Sequence, residues 1–177
     1  MSRELQKHKA KSVLVFLPAQ NFNEEEFLII SNTLENSGYQ KFIVSDSSFL
    51  CVGFNGLKVK NDVLLFNAHE SNFAGFLIAG GSGTGNYWNN SSLQNLAKKF
   101  ASKNKPIGAI CSAPIILAKT GLLFEKATCF FDDKKYLEKE GIEFVNLPVV
   151  KNGKIITAQE PASSYEFIKT FLFELPK

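Results

Sequence analysis

The segment Ser12-Val-Leu-Val-Phe-Leu17 constrains the fold more than any other stretch of the chain. It is nearly continuous in apolar residues, with no polar alternation. A strand that reads this way is covered on both faces, as interior strands of parallel sheets are. Pro18 stops it, and the chain then turns helical. Asn23 is placed as an N-cap. Glu24, Glu25 and Glu26 fill the first turn, where the helix dipole favours carboxylates. Phe27, Ile30 and Leu34 recur at helical spacing, and Gly38 sits where a C-cap glycine belongs.

The same alternation continues. Strands are expected at Lys41–Val44, Asp62–Phe66, Gly75–Ala79, Pro106–Ile110, Ala127–Phe130 and Lys154–Thr157. Helices are expected at Leu93–Phe100, at Pro114–Lys119 and from Ser163 to Glu174. The polar stretch from Ser45 to Asn61, with Gly53 and Gly56, is expected to hold a small hairpin. Alternating strands and helices predict an α/β fold: a mostly parallel central sheet with helices on both faces. Residues 1–11 read as a solvated leader and 12–177 as one domain, with no repeat, linker or low-complexity tract.

Composition narrows the function classes. The 20 Lys+Arg against 17 Asp+Glu leave a formal charge of only +3, too weak for a dedicated nucleic-acid or membrane-surface protein. The 17 phenylalanines predict a core rich in rings. No segment approaches the roughly 18 apolar residues of a spanning helix, and the charged start does not read as a secretory signal. Cys51, Cys111 and Cys129 are odd in number and widely spaced, so neither a disulfide framework nor a metal site is expected. The cytoplasm is the expected location.

Ligands of open α/β sheets bind beyond the carboxyl ends of the strands. Three loops of that kind carry chemistry. In Gly108-Ala-Ile-Cys-Ser-Ala-Pro114 a strand ends, small residues surround Cys111 and a helix starts at once. That describes a nucleophile elbow, whose sharp turn projects one side chain outward. A helix N-terminus behind the sulfur is expected to lower the thiol pKa. The alternative is a packed thiol acting as a small hydrophobe. Gly80-Gly-Ser-Gly-Thr-Gly85 lacks the Lys-Ser/Thr ending of a phosphate loop and the third glycine of a dinucleotide fingerprint. Its expected role is an oxyanion-type donor, the Gly81 amide facing the Cys111 sulfur or a bound oxygen. Glu24, Glu25 and Glu26 point about 100 degrees apart on a helix, so only one of them can face the cysteine.

Together these segments resemble the ThiJ/PfpI family, the group that includes the parkinsonism-associated protein deglycase. The resemblance runs from Val13 to about Leu175. Its further marks are Lys-Ala-Thr-Cys129 and Ile-Ile-Thr-Ala-Gln-Glu-Pro-Ala-Ser-Ser-Tyr-Glu-Phe167. It implies a flavodoxin-like three-layer sandwich and a homodimer. It implies Cys111 as nucleophile, Glu26 as the protonated carboxyl beside it, and the amides of Gly81 and Ser112 as the oxyanion pocket. Glyoxalase or deglycase chemistry on a small aldehyde or glycated substrate is the implied activity, with no cofactor and no metal. The alternative is a non-enzymatic redox-sensing or chaperone-like stress protein whose Cys111 is oxidised to a sulfinate.

Two departures stand out. Protease-like members place a histidine after the nucleophile, and here it is Ser112, which argues against peptidase activity. Glyoxalase-like members carry a histidine after the next strand, and here that position is Phe130. The chain has only His8, in the leader, and His69, expected as a loop histidine that could reach a site only from another strand end. Cys129 is expected to be packed and Cys51 to be exposed. Trp88 either walls the pocket or anchors a turn.

Overall fold

Residues 11–176 are described by a computed structural model; the other ten residues of the expected leader lie outside it. The apolar run forms β1 (Ser12–Phe16), buried along its whole length. A short β2 (Gln20–Phe22) precedes α1 (Glu24–Asn36), which starts on the Asn23 cap. Then come β3 (Gln40–Ser45) and the pair β4 (Leu50–Gly53) and β5 (Lys58–Lys60). Next are β6 (Val63–Leu64), β7 (Gly75–Ile78), α2 (Ser91–Ser102), β8 (Ile107–Ile110) and α3 (Pro114–Lys119). The chain ends through β9 (Lys126–Ala127), α4 (Lys134–Lys139), β10 (Glu143–Phe144), β11 (Val149–Asn152), β12 (Ile155–Ala158) and α5 (Ser164–Glu174).

Seven strands make the central sheet in the order β11-β12-β8-β7-β1-β3-β6, parallel except for the edge strand β11. β1 lies inside it, paired to β3 and β7, so both its faces need cover. On one face α1 and α5 bring Phe27, Ile30, Leu34, Phe167 and Phe171. On the other, α2 and α3 bring Leu93, Leu96, Phe100, Ile115 and Leu117. This is the expected flavodoxin-like sandwich. The connection leaving β1 runs to β3 and the one leaving β7 runs to β8 on the opposite side. Their loops diverge, which opens a crevice at the carboxyl ends of β1 and β7. Over it leans a second, three-stranded sheet of β2, β4 and β5, which contains the expected hairpin.

Some expectations are corrected. The strand expected at Ala127–Phe130 is only β9, which pairs with β10 outside the central sheet. The strand expected to reach Phe66 ends at Leu64 and turns into a 3-10 segment. Cys51 is fully buried, not exposed, because the hairpin folds it inward under the Leu17 carbonyl. No helix among the described residues is long and apolar enough to cross a membrane.

The Phe-rich core explains the packing between layers. Phe76 on β7 stacks on Phe100 of α2 with ring centroids 5.1 Å apart, both fully buried. Phe100→Ala leaves a cavity at this seam and lowers unfolding free energy by about 3–5 kcal/mol, read as a fall in the urea midpoint. A change under about 1 kcal/mol would show that the seam collapses to fill the gap.

Candidate functional site

Three loops meet beyond β1, β7 and β8. The Asn23 side chain accepts from the Glu26 amide at 3.1 Å, and the Asn23 amide donates to the Gly80 carbonyl at 3.0 Å. The start of α1 is thus tied to the end of β7. The three carboxylates fan out as helical geometry requires. Glu24 Oε1 accepts from the amides of Asn55 and Leu57 at 2.8 and 2.9 Å, and so holds the hairpin tip. Glu25 is exposed. Glu26 points inward and has no solvent exposure.

Glu26 Oε2 accepts from the Gly80 amide at 2.8 Å. Oε1 is buried and makes no hydrogen bond of good geometry, and the carboxyl interacts with the Cys111 thiol. Burial pushes the Glu26 carboxyl up to about 7, opposed by the Gly80 amide. Gly80 makes this approach possible. A Cβ there would collide with the Cys111 Cβ and would stand 2.8 Å from Glu26 Oε2 and from the Ile110 carbonyl.

Cys111 follows β8 directly, at a φ of +62° that non-glycine residues rarely adopt. Strain of this kind costs on the order of 1–3 kcal/mol and persists only where neighbours enforce it. Here both flanking peptide groups are pinned. The Cys111 amide donates to the Ala158 carbonyl at 3.0 Å, and the Phe130 amide donates to the Cys111 carbonyl at 2.8 Å. The turn sets the sulfur against Glu26, and the nearby amides of Gly81 and Ser112 favour its ionised form. Gly81 has φ +118°, and a side chain there would meet the backbone of Asn21 to Asn23.

The structure therefore brings Cys111, Glu26, Gly81 and Ser112 together, but it reverses the expected thiol shift. Burial pushes the Cys111 thiol up, and the Glu26 carboxylate adds to that, while the two amides pull the other way. The helix behind the sulfur is too short, and the sulfur too enclosed, for the helix dipole to win. Two buried acids this close do not both ionise near neutrality, so they titrate as a pair.

Other groups sort clearly. Phe130 is half-buried and lines the cavity beside Cys111. His69 is exposed, ahead of β7, and is not among the cavity's lining residues; His8 lies outside the described residues. Cys129 is fully buried, and burial, then the Asp133 and Glu138 carboxylates, push its thiol up to about 12. Trp88 anchors a turn: its Nε1 donates to the Ser112 carbonyl at 2.9 Å and its ring packs on Tyr136, 4.7 Å between centroids. Asp133 was not anticipated from sequence. Its Oδ2 accepts from the Ser112 hydroxyl at 2.6 Å, bracing the peptide that donates to the sulfur. Among the described residues no cluster of three or more His, Cys, Asp or Glu is arranged to hold a metal ion. Cys111 lines a cavity of about 410 Å³.

The Glu26 shift has a consequence for stability. Its folded pKa of about 7 lies above the ordinary 4.5. Between these values the unfolded chain has released a proton that the folded chain keeps, so stability falls as pH rises through the window. Glu26→Gln removes this slope. Relative to the variant, the wild type is expected to lose up to about 3 kcal/mol from pH 4.5 to 7, read by urea denaturation. Parallel profiles for the two proteins would contradict it.

Comparison with known proteins bears on the family and the fold. The sequence model of the DJ-1/PfpI family matches residues 11–174. A deglycase of Pyrococcus horikoshii is 27% identical over 160 residues, 90% of this chain and 96% of the deglycase. A glutathione-independent glyoxalase of Caenorhabditis elegans is 27% identical over 157 residues, 89% of this chain and 84% of the glyoxalase. The crystal structure of a ThiJ/PfpI domain protein from Brachyspira murdochii superposes with a TM-score of 0.91 at 27% identity, covering 94% of this chain and 97% of that one. With a family match over nearly its whole length and a sandwich of the same topology, the chain belongs to the DJ-1/PfpI family.

Proposed function

We propose that this protein is an enzyme of glyoxalase or deglycase type, acting on small reactive aldehydes through Cys111 and Glu26. The observation that carries the reading is the convergence on one sulfur of a protonatable carboxyl and two amide donors at the floor of an open cavity. Relatives named deglycase and glyoxalase, at 27% identity, support it.

With methylglyoxal, the Cys111 thiol passes its proton to the Glu26 carboxylate and the sulfur adds to the aldehyde carbon. An S–C bond forms, the carbonyl electrons move to oxygen, and the oxygen takes the proton of Glu26. The amides of Gly81 and Ser112 steady the developing negative charge. Glu26, now a carboxylate, removes the hydrogen on the same carbon as a proton, and a proton returns to the neighbouring carbonyl carbon. The product is a thioester of lactate. Water then breaks the S–C bond, releasing lactate and the thiol. One carbon is oxidised and its neighbour reduced, so each step is carried by protein groups and water. A carboxyl titrating at about 7 suits both directions of proton transfer at neutral pH.

Phe130 supports a second reading. A phenyl ring cannot serve as the base that a histidine at this position would be. In this reading the chain turns over little aldehyde. The Cys111 thiolate instead takes oxygen from two peroxide molecules in turn, releasing two waters and leaving a sulfinate under the same donors.

Lactate formation from methylglyoxal separates the two. The enzymatic reading predicts turnover that Cys111→Ala abolishes and that Glu26→Gln lowers by about 100-fold or more. Equal rates for wild type and Cys111→Ala would overturn it. Negligible turnover, with a gain of two oxygens on Cys111 after peroxide, would favour the second reading.

A further inference from the structure

We propose that the cavity above Cys111 selects aldehydes that are uncharged or cationic and carry an aromatic substituent. Phe54 and Phe130 would grip the ring, and Glu25 would exclude anions. The proposal rests on the aldehyde chemistry assigned to Cys111 and names the substrate class of that same site.

Size is the first argument. A cavity of about 410 Å³ falls in the range of drug-sized ligand pockets. A three-carbon dicarbonyl occupies a small part of it and leaves the upper walls untouched.

Those walls are apolar in a specific place. Phe130 adjoins the elbow, its backbone fixed by the Cys111 carbonyl. Phe54 lines the same cavity from the hairpin tip, with 72% of its surface exposed. Its exposure is not a matter of looseness. The Phe54 amide donates to the Phe22 carbonyl at 3.1 Å, and the next residues are held by Glu24. The fold thus fixes the backbone that carries a phenyl ring at the rim of a reactive site without burying that ring in the protein core. Pro161 adds a third apolar surface. A ring on the substrate would gain ring-on-ring contact with both phenylalanines that an aliphatic aldehyde cannot.

Charge is the second argument. Glu24 and Glu25 line the cavity, and among the described residues no lysine, arginine or histidine does. Two backbone amides engage Glu24, whereas Glu25 is exposed to solvent. An incoming carboxylate or phosphate would meet this negative wall with no cation among the described lining residues, a repulsive element that sharpens selection. A neutral or cationic substrate does not meet that barrier.

The test reads the cavity apart from turnover. Cys111 is alkylated with iodoacetamide, with its N-phenyl analogue and with iodoacetate. Each rate is divided by that of a free small thiol, and the modified residue is confirmed by mass spectrometry. In every case an S–C bond forms and iodide leaves. The N-phenyl reagent is expected to gain roughly three- to tenfold over iodoacetamide, and iodoacetate to lose about threefold or more. Phe54→Ala should remove the ring preference, and Glu25→Gln should relieve the penalty on iodoacetate. Three outcomes overturn the proposal: normalised rates that match the free thiol, a Phe54→Ala variant that keeps the preference, or a Cys111 that none of the reagents reaches. Phenylglyoxal and methylglyoxal kcat/KM values then separate this proposal from the catalytic one. Selective alkylation without dicarbonyl turnover keeps the selectivity and removes the enzymatic reading. Methylglyoxal turnover without any ring preference does the reverse.

Discussion

The site depends on a carboxyl group that the fold has sealed from water and set against a thiol. An isolated carboxylate in such a place would cost several kcal/mol, and a protein normally avoids this by neutralising it. Glu26 does so in part, since its proton is retained up to about pH 7. The rest of the local structure keeps that arrangement in place. Gly80 removes the side chain that would separate the two groups. Asn23 starts the helix so that the third glutamate, and neither of the first two, faces inward. The left-handed turn at Cys111 brings the sulfur over, with carbonyl and amide partners on both sides. Loosening any of these would let water in or move the pair apart.

Much of this was legible in the sequence because it is local. The burial of β1 follows from five residues read in order. The Asn23 cap and the elbow at Cys111 are patterns of adjacent residues, and the structure places both where those patterns put them. Alternation of strands and helices carried the architecture. The Gly81 amide was expected from the glycine loop and the Ser112 amide from the family resemblance, and both lie beside Cys111.

What could not be read depends on distant partners. No periodicity distinguishes α4, which has six residues. β9 and β10 are two residues each and exist only because they pair with one another. The Asp133 contact with Ser112 spans 21 positions, so nothing near either residue announces it. Cys51 sits among polar neighbours, yet the hairpin folds it inward. The thiol shift went the other way for a related reason. Sequence shows the helix behind the sulfur, but not the depth of burial or the carboxylate in front of it, and those two dominate. Phe130 is the reverse case. Its identity was plain in the sequence, and only the cavity gives it a use as an apolar wall.

The central claim is that Cys111 and Glu26 form one titrating unit, which gives up its first proton near neutrality and its second far above. The rate of Cys111 alkylation by a neutral reagent, followed from pH 5 to 10, tests this most directly. Whichever atom carries the charge in the singly ionised pair, reactivity rises as that state fills. The account predicts an inflection near pH 7 that Glu26→Gln abolishes. A single inflection at or above the free-thiol value of about 8.5, the same in both proteins, would contradict it.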